Sequence, residues 1–65
     1  MNYTITYSVV VDDDDHSSTV TVDNTGMSDS AARQYAANHL FDTTDVTPAD
    51  IDVHAIDVMY VATDR

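Results

Sequence analysis

The stretch YTITYSVVV, residues 3–11, decides the fold. Its apolar and aromatic side chains alternate with polar ones: Tyr3, Ile5, Tyr7, Val9 and Val11 occupy every second position. A period of two is typical of a β-strand that buries one face. We therefore expect the rest of the chain to supply the elements that cover this face.

The next segments predict a hairpin and then a helix. Residues 12–18 are polar and predict a hairpin loop longer than a two-residue turn, followed by a second strand over residues 19–23. Ser28 is a good N-cap for a helix that reaches about Phe41. Three- and four-residue spacing places these side chains on its core face: Ala32, Tyr35, Ala36, His39 and Leu40.

The last third of the chain predicts a short turn and a third strand. Residues 47–50 have the signals of a single helical turn, and residues 52–62 are again strand-like. The apolar positions change parity within that strand, which predicts a bulge or a break near Ala55. Tyr35 and Tyr60 are expected in the core, and residues 63–65 are expected to form a tail.

Together these elements predict one α+β domain over residues 1–65. Its order is β-β-α-β, giving a three-stranded antiparallel sheet in the order 2-1-3 with one helix packed on one face. Met59 and Val61 would lie near Val10 on the open sheet face. Such an apolar patch would allow a homodimer through that face.

The charge is strongly one-sided. Twelve acidic residues, all Asp, face two arginines and no lysine, for a net charge of −10. Binding to nucleic acid or to an anionic membrane needs Lys and Arg, so both partners are excluded as direct ligands. A basic protein is the natural complement of this surface.

No catalytic, metal or cofactor site is predicted. The chain has no cysteine, and its three histidines lack metal-ligand spacing. Asp52 and His54 could share a strand face, but no nucleophile accompanies them. We predict that the protein is not an enzyme, that it needs no cofactor, and that it is a soluble cytoplasmic domain, since no signal peptide or membrane span is visible.

Most of the acids have no structural role that the sequence reveals. Asp29 is spaced for an ion pair with Arg33, and Asp50 is placed to cap the short turn. Charge runs are usually solvated loops, which is the ordinary explanation for residues 12–15. The predicted partner-binding residues are Asp12, Asp13, Asp14, Asp15, Asp23, Asp42, Asp45 and Asp57.

The short length, the Asp-only acidity and the single α+β unit resemble the small acidic inhibitors of phages and mobile elements, particularly DNA-mimicking anti-CRISPR proteins. The resemblance implies a partner that is a basic nucleic-acid-binding protein, such as a subunit of a CRISPR surveillance complex. If residues 12–15 form an extended loop, carboxylates two residues apart lie about 6–7 Å apart on one side. That spacing is comparable to the spacing of phosphates along a DNA strand.

A second resemblance is to haloarchaeal proteins, which are rich in Asp, Thr and Val and poor in Lys. In that case the acidity is an adaptation to salt, and the protein is an interaction module. The absence of Glu counts against this alternative, because haloarchaeal proteins use both acids.

The net charge predicts that added salt raises the melting temperature at neutral pH, because counterions screen the self-repulsion of the folded state. Thermal unfolding followed by circular dichroism measures the effect. It should shrink near the sequence pI of about 4.1, where the repulsion is small. A melting temperature that is the same at low and high salt at pH 7 would contradict the prediction.

Overall fold

A computed structural model describes residues 1–64, and within them the strands and the helix follow the predicted order. The elements are β1 (Asn2–Val11), β2 (Asp14–Asp23), α1 (Asp29–Thr43), a 3₁₀ turn (Val53–Ala55) and β3 (Asp57–Asp64). β1 pairs antiparallel with both neighbours, so the sheet order is β2-β1-β3. The predicted α+β class and sheet order are confirmed.

The hairpin between β1 and β2 is tighter than the sequence predicted. Val11 pairs with Asp14, so the connection is a two-residue turn and not a loop over residues 12–18. Asp12 and Asp13 have φ angles of 50° and 67°, the left-handed conformation that a type I′ turn requires at both central positions. Aspartate tolerates this conformation better than most residues, which is why a polar run closes so short a turn.

The core lies between the alternating face of β1 and the small side chains of α1. The buried residues are Ile5, Tyr7, Val9 and Val11 of β1, Ala32, Ala36, Ala37 and Leu40 of α1, and Ile56. The alanines let the helix lie close to the sheet, because the distance between packed elements depends on the side chains at the contact. Tyr35 and His39, also predicted on this face, are half-buried at its margin.

The start of α1 follows the sequence, but the expected Asp29–Arg33 ion pair is not formed. The Ser28 Oγ accepts a hydrogen bond from the Ala31 amide at 3.1 Å, which confirms the N-cap. Arg33 instead donates from Nε to the carbonyl oxygen of Ile56 at 3.3 Å. An exposed ion pair gains little in water, whereas the carbonyl of buried Ile56 needs a donor.

The third strand starts later than predicted. Residues 53–55 form the 3₁₀ turn, so the predicted break near Ala55 is confirmed. Asp52 caps this turn, and its Oδ1 accepts from the His54 amide at 3.0 Å. Asp52 and His54 therefore do not share a strand face. β3 continues to Asp64, so residues 63 and 64 are not a tail; Arg65 lies outside the described residues.

A bulge in β3 corrects two further predictions. Thr6 pairs with Tyr60 and Tyr7 pairs with Val58, which leaves Met59 without a partner on β1. Tyr60 consequently lies on the open face and is 63% exposed, so the prediction that it is in the core is wrong. Val61 pairs with Ile5 and belongs to the helix side of the sheet. The expected Met59–Val61–Val10 patch on the open face is therefore not assembled.

The open face of β1 and β2 is largely hydroxylic. The Oγ1 atoms of Thr4 and Thr21 lie 3.5 Å apart, and those of Thr6 and Thr19 lie 3.3 Å apart. These cross-strand pairs are exposed and pair hydroxyl with hydroxyl. This half of the sheet is consequently suited to contact with water.

The turn geometry predicts that Asp13→Gly stabilises the protein by about 0.5–1 kcal/mol relative to Asp13→Asn, because glycine adopts a positive φ without a Cβ penalty. Both variants lose the same charge, so the difference between their free energies of unfolding reports the backbone preference at residue 13. Urea denaturation measures the free energy of unfolding. A glycine variant no more stable than the asparagine variant would show that the turn is unstrained at this position.

Candidate acidic binding site

Carboxylates from two distant segments line one surface depression of about 450 Å³ at the hairpin end of the molecule. The hairpin contributes one group of lining residues, and the segment after α1 contributes the other. The lining residues are Val11, Asp12, Asp14, His16, Thr44, Asp45, Val46 and Asp50. We call this surface the acidic end.

The local structure after α1 brings the second segment to the hairpin. The Thr44 amide and its Oγ1 both donate to the Leu40 carbonyl, at 3.0 and 2.7 Å, and thereby end the helix. The Val46 amide then donates to the Thr44 Oγ1 at 3.2 Å. Val46 packs against the core, which holds the neighbouring Asp45 beside the hairpin.

The acids of this depression differ in how far they are already engaged. The Asp50 Oδ2 accepts from the Thr47 amide at 2.8 Å and from the Thr47 Oγ1 at 3.1 Å, which confirms its predicted capping role. Within residues 1–64, Asp12, Asp14 and Asp45 make no side-chain hydrogen bond and no ion pair. These three exposed carboxylates are free to meet a cationic partner.

The remaining hairpin acids point elsewhere. Asp15 pairs with Val10 and so lies on the open face, whereas Asp14 pairs with buried Val11 and lies on the helix face. Asp13 occupies the turn itself. The idea of a straight row of carboxylates along an extended loop is therefore wrong, because a tight turn and the strand pleat send successive side chains in different directions.

The other predicted contact residues do not join the acidic end. Asp57 pairs with Ser8 on the open face, and Asp42 lines a separate depression with His39 beside β2. Asp23 lies at the opposite end of the sheet, where its Oδ1 is 3.0 Å from the amino group of Met1. Asp50 and His16 were not predicted as lining residues from the sequence, because only the fold brings residues 12–16 and 44–50 together.

One polar contact links the sheet and the helix inside the protein. The Tyr7 hydroxyl lies 2.8 Å from the His39 Nδ1, and the two rings meet edge to face with their centroids 5.8 Å apart. His39, which the sequence placed on the core face of the helix, therefore has a hydrogen-bond partner on the central strand. Burial raises the pKa of Tyr7, and a hydrogen bond with the Ser18 side chain opposes that shift.

Residues 1–64 contain neither a metal-binding group nor a helix that could span a membrane. Within residues 1–64, no group of three or more His or Asp side chains is placed to hold a metal ion. Across the same residues, no helix has the length and apolar character needed to cross a membrane.

Comparison with known proteins gives no relative: no protein-family model, curated protein or solved structure matches the chain. The resemblance to anti-CRISPR proteins therefore stays a hypothesis.

The raised pKa of Tyr7 predicts a loss of stability at alkaline pH. The folded state favours the neutral phenol, so this contribution is present below the unfolded pKa near 10 and is lost as pH rises through the folded pKa. Tyr7→Phe should therefore reduce the slope of the unfolding free energy against pH above about pH 10. Chemical denaturation at pH 8 to 11 measures this slope.

Tyr3→Phe is the matched control, because Tyr3 is a half-buried tyrosine on the same strand. It removes a tyrosine hydroxyl from β1 without removing the Tyr7–His39 contact, so the slope of Tyr7→Phe is compared with it. Parallel curves for the parent protein and Tyr7→Phe across this pH range would show that the Tyr7 hydroxyl does not govern alkaline stability.

Proposed function

We propose that this protein is an acidic inhibitor that binds a basic nucleic-acid-binding groove, with the acidic end as its contact surface. The CRISPR surveillance complex is the partner class we infer, because its DNA-binding channel is basic and selects by shape and charge. The observation that carries the proposal is the convergence of Asp12, Asp14 and Asp45 on one depression, where none of them forms an ion pair within residues 1–64. The role is binding, with no catalytic step.

Several acids near the acidic end occupy positions that destabilise the folded state, which supports a role in binding. Asp12 suits the first left-handed position of the turn, but Asp13 occupies the second, where glycine is preferred, so the turn keeps one carboxylate that its geometry does not favour. Asp42 lies in the last turn of α1, which carries no basic residue, and Asp45 follows shortly after. Negative charges near a helix C-terminus are destabilising because the macrodipole is negative there. Departures from local preference of this kind are expected at functional sites.

The shape of the molecule also suits insertion into a groove. Its extents are 36 × 17 × 17 Å, and a strand of ten residues spans about 30 Å, so β1 and β2 fit only along the long axis and the hairpin turn lies at a narrow end. A narrow end that carries carboxylates can enter a channel lined by Lys and Arg. Long-range attraction between the two surfaces would speed the encounter and would weaken with salt. This encounter would take place in the cytoplasm of a bacterial or archaeal host.

A second candidate function follows from the acids that lie away from the acidic end. Asp23 is at the opposite end of the sheet and Asp57 is on the open face, so the negative charge covers several surfaces. Wide coverage is what adaptation to high salt would produce. In that case the protein is a haloarchaeal-type interaction module, and no single group of acids carries binding.

Removing the converging acids should weaken inhibition. The triple variant Asp12→Asn, Asp14→Asn and Asp45→Asn keeps side-chain shape and removes three charges. We expect it to weaken inhibition of a guide-loaded CRISPR surveillance complex at least tenfold, since charged interface contacts are individually worth about 1 kcal/mol or more. Inhibition is measured as the loss of binding of a fluorescent target duplex. Excess duplex should relieve inhibition by the parent protein, as competition for one groove requires.

The matched control removes the same charge elsewhere, through Asp23→Asn, Asp29→Asn and Asp57→Asn. This variant should inhibit within about twofold to threefold of the parent protein, because long-range steering depends on net charge while contact depends on position. Equal losses in both triple variants would favour general acidity and the second candidate. No inhibition by the parent protein would reject this partner class.

A further inference from the structure

An unpaired sheet edge with three consecutive exposed apolar residues runs along β3. Met59 and Tyr60 are each 63% exposed, and Val61 is 38% exposed. β1 pairs with one side of β3, and within residues 1–64 no strand pairs with the other side. An edge of this kind presents backbone donors and acceptors that an additional strand can bind.

The exposed apolar side chains of β3 lie on both faces of the sheet. Tyr60 is opposite Thr6 on the open face, and Val61 is opposite Ile5 on the helix face. Val58 packs against the core, but Val61 is exposed beside completely buried Ile5, so the helix leaves this part of the β3 edge uncovered. A strand added alongside β3 would cover apolar atoms on both faces as well as pair with the backbone.

The opposite edge of the sheet is less suited to this role. On the open face β2 presents Ser17, Thr19 and Thr21, and both threonines already face hydroxyl partners on β1. Its apolar residues Val20 and Val22 are half-buried against the core. The exposed apolar row is therefore a property of β3 and not of sheet edges in general.

Charge decides which occupant fits the β3 edge. The protein carries a net charge of −10, and exposed Asp57 begins β3. A second copy would bring the same negative charge, whereas an extended segment with Lys or Arg at its ends would complement it. We propose that the β3 edge binds a basic extended segment of a partner protein as a fourth strand. This surface is separate from the acidic end, and the inference does not depend on the function proposed above.

A short synthetic strand tests the inference directly. The probe is the capped peptide Lys-Val-Thr-Val-Thr-Val-Lys, titrated into the ¹⁵N-labelled protein and followed by amide NMR. We expect saturable shift changes at the amides of residues 57–64, with little change in β2. Two control peptides should bind at least tenfold more weakly: one has Glu in place of both lysines, and the other has alternate backbone amides methylated and cannot form the ladder.

Surface variants test whether the peptide binds the β3 edge or any exposed apolar residue. Tyr60→Thr combined with Met59→Thr should weaken peptide affinity about fivefold or more, because side-chain pairs across strands are lost while the edge remains. Val10→Thr is the matched control, since Val10 is 64% exposed but lies on the central strand. It should change the affinity less than twofold.

Four results would overturn the inference. They are the absence of saturable binding, shift changes confined to residues 12–15 or to β2, equal binding of the methylated peptide, and equal binding of the Glu peptide. Sedimentation equilibrium adds a fifth: a dimer that Tyr60→Thr dissociates would make a second copy the occupant of the edge.

Discussion

The close contact between the apolar face of β1 and the alanine face of α1 is the interaction on which the structure depends. Ala36 and Ala37 are completely buried against the sheet, and their size lets the helix approach until His39 meets the Tyr7 hydroxyl. A chain of 65 residues buries a small core, so few side chains carry its stability. The segment after α1 then closes this core with buried Ile56.

The distribution of charge over the surface follows from the apolar character of this core. No charged side chain is buried among residues 1–63, so the carboxylates of these residues lie at the surface, and the sequence has only two arginines to offset them. The tight hairpin and the exit from α1 lie at the same end of the molecule, and the acids of both segments consequently meet there. Self-repulsion and an unfavourable helix dipole make this arrangement costly for folding. A cationic partner surface would offset both effects.

The two candidate surfaces differ in the interaction they offer. The acidic end offers charge at long range, which favours rapid encounter and strong salt dependence. The β3 edge offers backbone hydrogen bonds and apolar area at short range, through Met59, Tyr60 and Val61. They occupy different parts of the molecule, because β3 pairs with residues 2–8 of β1 while the hairpin turn follows Val11. One partner could engage both only if it presented a basic surface and an extended basic segment.

The sequence by itself determined the elements whose signals are local. Strict alternation over residues 3–11 specified β1, Ser28 specified the helix start, and connection rules specified the central position of β1. Only the tertiary structure decided the hairpin length, since an all-polar run is compatible with either a long loop or a left-handed Asp12-Asp13 turn. It also decided the orientation of Tyr60, because the bulge that turns it outward is set by pairing with β1. The same reason applies to the acidic end. Aspartates far apart in sequence carry no signal of their proximity, and long-range packing alone brings Asp14 and Asp45 to one surface.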